Sequence, residues 1–143
     1  ALWEAGSAYE IDPTTLETRG VVTWSDETAG MPFSAHPRVE PDGTLWNLGY
    51  LSAANKLGLW RITPKGRLAD VSVVDLDHTP MVHDFVVTER HLVVLLCPWH
   101  YEHGHGETFL ESHVWHPERP TRVLIFRRSV VRDHQHARRH ARA

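Results

Sequence analysis

Turn signals recur along this 143-residue chain at intervals too short for helices, and that spacing limits the fold more than any other feature. Asp12-Pro13-Thr14-Thr15, Pro41-Asp42-Gly43 and Thr63-Pro64-Lys65-Gly66 carry the residues that reverse a backbone cheaply. Between them lie short runs rich in β-branched and aromatic residues: 9–11, 20–24, 44–50, 57–62, 69–75, 83–88, 91–97 and 121–127. Thr44 to Tyr50 is expected to pair back as a hairpin across Pro41-Asp42-Gly43, and Glu89-Arg90 is expected to separate the two arms of another. No segment of ten residues or more sustains a 3.6-residue apolar period, so the expectation is an all-β fold. Strands spaced by turns every 8–12 residues or so suit a sandwich, a barrel or a propeller. At roughly 40–45 residues per four-stranded blade, this length gives about three blades. Propellers close with about 4–8, so this would be a partial one.

Hydrophobic content of 41% against 23% charged residues fits a folded chain with a real core rather than a disordered one. The longest apolar run, Leu92 to Cys97, is strand-sized. A single cysteine, Cys97, excludes an internal disulfide and favours a reducing compartment, hence a cytoplasmic setting. It is expected to be packed within its strand. The chain shows no signal-peptide pattern and does not begin with Met, so it is expected to start within a longer protein. The net charge of −3 is divided unevenly. Residues 127–143 carry six Arg against Asp133, a charge of +5, which leaves 9 basic and 17 acidic side chains, or −8, in residues 1–126. An acidic body argues against a nucleic-acid surface.

Two histidines head candidate strands. His36 is fixed against Pro37, and His83 opens the run Met81-Val82-His83-Asp84-Phe85-Val86-Val87-Thr88. Neutral imidazoles suit Fe, Zn and Cu, and two such strand-heads could point at one metal. Their 47-residue separation matches no compact ligand motif, so buried or capping histidines fit the spacing as well. The stretch 99–107 holds His100, His103 and His105 with Glu102 and Glu107, a set that could hold Zn or Ni or could equally be a flexible surface loop. Four tryptophans at strand positions (24, 46, 60 and 115) are expected to fill gaps between sheets, with a carbohydrate-binding row as the alternative.

Several spaced segments resemble the carotenoid cleavage oxygenase family, which includes the retinal-pigment-epithelium isomerase and the stilbene-cleaving enzymes. They are Leu2-Trp3-Glu4-Ala5-Gly6, Asp12 to Thr18, Ser34-Ala35-His36-Pro37-Arg38-Val39 with Asp42 to Gly49, Val82 to Thr88, and Glu111 to Arg127. The order is the family's, over roughly residues 1–127. The resemblance implies a seven-bladed propeller with a mononuclear Fe(2+) on its axis held by four histidines. His36 would be the first ligand and His83 the second. Glu4 would be the carboxylate that hydrogen-bonds a ligand imidazole and fixes its ring. It further implies O2-dependent cleavage of a conjugated C=C bond in a carotenoid or apocarotenoid, at the end of an apolar tunnel. Phe33, Phe85 and Trp99 are tunnel candidates by their nearness to the ligands. Peripheral contact with a membrane would suit a lipid-borne substrate.

The resemblance stops after Arg127. Residues 128–143 contain neither the third nor the fourth family histidine motif, and the chain alone is therefore expected to be inactive. That Arg-rich tail, with His134, His136 and His140, is read as disordered or as the product of truncation or a shifted reading frame. The rival reading is a non-catalytic β-propeller or sandwich binding module, which calls for no iron and for His36 and His83 to diverge.

Overall fold

The computed structural model describes residues 1–4, 6–129 and 131. It is all-β apart from two single-turn 3-10 segments, Asp26–Thr28 and Ser52–Ala54. Strands β1 (Tyr9–Ile11) and β2 (Thr18–Val21) form the first hairpin. The Asp12 carboxylate shapes its turn by accepting the backbone N–H groups of Thr14 at 2.8 Å and Thr15 at 3.0 Å. The strand expected over 20–24 is thus the second arm of this hairpin and ends at Val21, ahead of the half-buried Trp24.

The main sheet has four antiparallel strands in the order β3 (Arg38–Val39), β4 (Leu45–Leu51), β5 (Lys56–Ile62), β6 (Leu68–Asp75). The expected turn between β3 and β4 is present, with Gly43 at a φ of 86° that side-chain-bearing residues rarely adopt. A second sheet orders β11 (Arg122–Arg127), β8 (His91–Leu96), β7 (Phe85–Val87). Between β8 and β11 the chain makes a separate hairpin from β9 (Trp99–Tyr101) and β10 (His113–Trp115). The first three residues of the stretch 99–107, weighed as a surface loop, are therefore strand, and His100 is buried in that strand instead of exposed.

The core lies between the two larger sheets. Leu48, Leu57 and Leu59 from the first meet Phe85, Leu92, Val94 and Leu96 from the second, with Val82 from the segment just ahead of β7. In β8 the alternation is the expected one, with Leu92, Val94 and Leu96 inward and Leu95 exposed. In β5 both faces are covered: Leu57 and Leu59 face that core, while Trp60 and Ile62 face a second one with Ala8 and Phe33. Such two-sided burial explains why 57–62 reads as a continuous apolar run rather than an alternating one. Trp24 stacks on Phe33 at 4.7 Å, and Trp46 and Trp60 are fully buried, as expected; Trp115, on the two-stranded hairpin, is 57% exposed. Cys97 lies just beyond β8 and is exposed, so the expectation of a packed thiol fails because the strand ends one residue before it.

Packing continues past residue 127. The Arg128 guanidinium donates to the carbonyls of Thr88 and Glu89, pairs with Glu40 and lies 4.7 Å over the Trp46 ring, and Val131 is buried in the main core. The rest of the expected tail, including His134, His136 and His140, lies outside the described residues. Among the described residues, no helix is long and apolar enough to cross a membrane.

Candidate metal centre

His36 and His83 each sit two residues ahead of an edge strand, β3 and β7, on different sheets. The backbone around each is held by specific hydrogen bonds. Ser34 N–H donates to the Leu48 carbonyl at 2.8 Å, and the fully buried Asn47 side chain donates to the Ser34 carbonyl at 2.8 Å. His36 N–H reaches Ser34 Oγ at 3.3 Å. The segment lies so close to β4 that a Cβ on Gly49 would stand 1.9 Å from the Pro32 carbonyl oxygen, which is why residue 49 has no side chain. Phe33 N–H also bonds the Gly6 carbonyl at 2.8 Å, and this brings the N-terminal segment, with Glu4, alongside.

His83 is anchored from the other side. Met81 N–H bonds the Trp99 carbonyl at 2.9 Å, Pro80 bridges to His100, and Val82 is fully buried. Two residues after His36, Arg38 reaches across to the residues that follow His83. Its Nη2 meets Asp84 Oδ1 at 2.7 Å and Oδ2 at 2.6 Å, and its Nε donates to the Phe85 carbonyl at 3.2 Å. Both side chains of this pair are nearly half exposed, so its Coulombic contribution to stability is at most about 1 kcal/mol.

The result is convergence. The His36 and His83 ring centroids are 4.4 Å apart at an interplanar angle of 62°. Glu4 Oε1 lies 3.6 Å from His36 Nε2 and 3.5 Å from His83 Nδ1, ion-pair distances too long for hydrogen bonds. One donor atom from each of the three residues falls within 4.8 Å of the others, the one such His/Cys/Asp/Glu grouping among the described residues. Burial is graded: the Glu4 side chain is 15% exposed, His36 39% and His83 61%. Both Glu4 carboxylate oxygens are buried without a hydrogen-bond partner, and so is the Tyr50 hydroxyl. Burial, followed by the Glu4 charge, pushes the Tyr50 phenol well above its ordinary range. A carboxylate placed so, with two imidazoles beside it, is a site that a divalent cation would complete.

The other histidine-rich region is different. His103 and His105 are exposed, with His105 Nδ1 at 2.8 Å from the Glu111 carbonyl. Buried His100 instead meets His78, ring centroids 3.9 Å apart, and His116 at 5.5 Å. Burial lowers the His100 pKa to about 4, with His78, Arg119, His116 and Arg122 adding to the shift. His78 is lowered for the same first reason. The five residues weighed as a possible Zn or Ni set form no such grouping of donors.

Arg38, Asp84 and Tyr50 belong to the site and were not singled out by sequence reasoning. Arg38 and Asp84 were visible only as the polar neighbours of the two histidines; nothing in Tyr50 distinguishes it from a strand aromatic.

The retinal pigment epithelial membrane protein family model matches residues 1–142. Resveratrol cleavage oxygenase 1 of Aspergillus fumigatus is 29% identical over 124 residues, covering 84% of this chain and 25% of that protein. The apocarotenoid-15,15'-oxygenase of Synechocystis is 27% identical over 142 residues, covering 87% of this chain and 28% of its own. Among solved structures, the Pseudomonas brassicacearum lignostilbene dioxygenase superposes with a TM-score of 0.77 at 27% identity, over 89% of this chain and 27% of that one. The chain thus spans between a quarter and three tenths of the length of these relatives. Its fold is all-β, a partial β-propeller of the kind these oxygenases share. The chain belongs to the retinal pigment epithelial membrane protein family, the carotenoid cleavage oxygenases.

Proposed function

We propose that this chain forms part of a non-haem Fe(2+) dioxygenase that cleaves a conjugated C=C bond of a carotenoid or apocarotenoid-like polyene with O2 to give two carbonyl products. The observation that carries the reading is the convergence of Glu4, His36 and His83, with both Glu4 oxygens buried and unpartnered. The donor set fits a divalent iron: two imidazoles offer nitrogen lone pairs, and the nearby carboxylate supplies the negative charge that lowers the cost of a cation there. His36 and His83 would hold the ion. Glu4 would orient the His83 ring through Nδ1, fixing its tautomer and raising its basicity. When bound, iron supplies the O2 chemistry that breaks the double bond. The residues of this chain bind and aim: the buried Val82 and Phe85 seat His83, and the Asn47–Ser34 bond seats His36.

With two of the four imidazoles that the family resemblance implies, the chain by itself holds iron weakly and does not turn over. Within this reading the protein works in the cytoplasm, with peripheral membrane contact where the polyene is lipid-borne. The rival binding module calls for diverging rings, whereas these two lie in contact. The test is anaerobic titration of the chelator-stripped chain with Fe(2+), followed by exposure to O2 and an apocarotenoid. One weakly bound equivalent and no carbonyl product are expected. No Fe(2+) binding overturns the iron site, and product formation overturns the inactivity of the chain.

A further inference from the structure

The two histidines come from the heads of edge strands on separate sheets, so something must set one sheet edge against the other. Besides the two rings themselves, the heads are joined by Arg38 on Asp84 and on the Phe85 carbonyl. We propose that Arg38 and Asp84 are positioning residues for the metal centre, a clamp that fixes the spacing of His36 and His83. This rests on the reading of Glu4, His36 and His83 as an iron site.

Three observations favour it. Arg38 is two residues from His36, and Asp84 adjoins His83, so a shift at either end of the pair moves an imidazole. The guanidinium meets both carboxylate oxygens and a main-chain carbonyl at once, which defines an orientation as well as a distance; a lysine ammonium could reproduce the charge but not the fork. Asp84 is itself tied down, because its Oδ1 accepts the Phe85 N–H at 2.7 Å, so the pull on Arg38 is transmitted to backbone rather than absorbed by a rotamer. A pair this exposed adds little to stability. Its value lies in geometry, and geometry at a metal is read by affinity and spectrum.

The experiment uses the full chain and Co(2+), whose visible absorption reports ligand arrangement. Wild type, Arg38→Lys, Arg38→Ala, Asp84→Asn, the Arg38→Ala/Asp84→Ala double variant and His36→Ala/His83→Ala are compared by Co(2+) titration, with metal-free urea unfolding as a folding control. The expected result is a loss of Co(2+) affinity of roughly 10-fold for Arg38→Ala, at the low end of the effect of removing groups that orient metal ligands. Arg38→Lys should fail to restore it, the bound spectrum should change, and the double variant should lose no more than the single one. Metal-free unfolding should stay near wild type; if Arg38→Ala does not fold, Arg38→Lys and Asp84→Asn carry the test. Wild-type affinity and spectrum in folded Arg38→Ala or Arg38→Lys, where binding still requires His36 and His83, would overturn the clamp alone. Co(2+) binding that ignores His36 and His83, or no binding by wild type, would overturn the metal centre and the clamp with it.

Discussion

Two groups of histidines in this small fold have opposite surroundings. At His36 and His83 a carboxylate with buried oxygens lies within 3.6 Å of a nitrogen of each ring, the rings open toward solvent, and the guanidinium nearby is occupied by Asp84. At His78, His100 and His116 the first two rings are packed together, His100 being itself part of β9. His100 Nδ1 and His78 Nε2 are buried without partners, and the charges that act on His100 from Arg119 and Arg122 oppose its protonation. His116 is held on both nitrogens, by Glu102 at 2.9 Å and Glu118 at 3.1 Å. An imidazole becomes a metal ligand or a piece of core according to what faces it. A carboxylate and open space favour a cation, whereas apolar cover and neighbouring cations favour the neutral ring.

The comparison can be broken most decisively by exchanging which histidines are removed. His36→Ala or His83→Ala should weaken Fe(2+) binding by about 100-fold or more, beyond the effect of losing an orienting neighbour. His78→Ala and His100→Ala should leave it within about 2-fold while lowering stability by about 1–3 kcal/mol through lost packing. Equal effects from both pairs, measured by anaerobic titration, would erase the distinction.

Glu4 sharpens the contrast, because its carboxylate is costly without a cation and useful with one. Glu4→Gln should lower metal affinity by about 10-fold or more. The same change should leave the metal-free urea midpoint within the equivalent of about 1 kcal/mol of wild type, since a buried amide replaces a buried carboxylate that has no hydrogen-bond partner. A metal-free midpoint that falls further than that would show that the carboxylate is already satisfied.

A smaller effect distinguishes the packed group by pH. His100 has a folded pKa of about 4, below the ordinary 6.5, so the unfolded chain takes the proton first. Its contribution is intact above about pH 6.5 and is lost as pH falls toward about 4, at no more than roughly 1.4 kcal/mol per pH unit. Unfolding of the metal-free chain in chelator at several pH values should show that slope, flattened in His100→Leu. A slope indifferent to that substitution would place the acid sensitivity elsewhere.

Much of the fold was legible because turn residues act locally. Asp42-Gly43 and Pro64-Lys65-Gly66 reverse the chain where expected; β8 and β11 fall within the apolar runs that suggested them, and β4, β5 and β6 overrun theirs by one residue each. The β9–β10 hairpin was not legible. Trp99 to Tyr101 is short, rich in polar-capable aromatics and paired across an 11-residue connection, so its pairing is fixed by distant contacts such as the Pro80–His100 bridge.

The sequence by itself determined the all-β class, the strand-heads that carry His36 and His83, and the candidacy of Glu4, which came only through family resemblance. Tertiary structure alone decided that these three meet. Residues 4, 36 and 83 lie on three separate segments, and no local rule of propensity or spacing links them. They are brought together by the Phe33–Gly6 backbone bond, by the sheet-to-sheet core of Leu48, Leu57 and Leu59 on Val82 and Phe85, and by Arg38 reaching Asp84. Tertiary structure also gave the two histidine groups their different surroundings, because burial and neighbouring charge exist only once the sheets have packed.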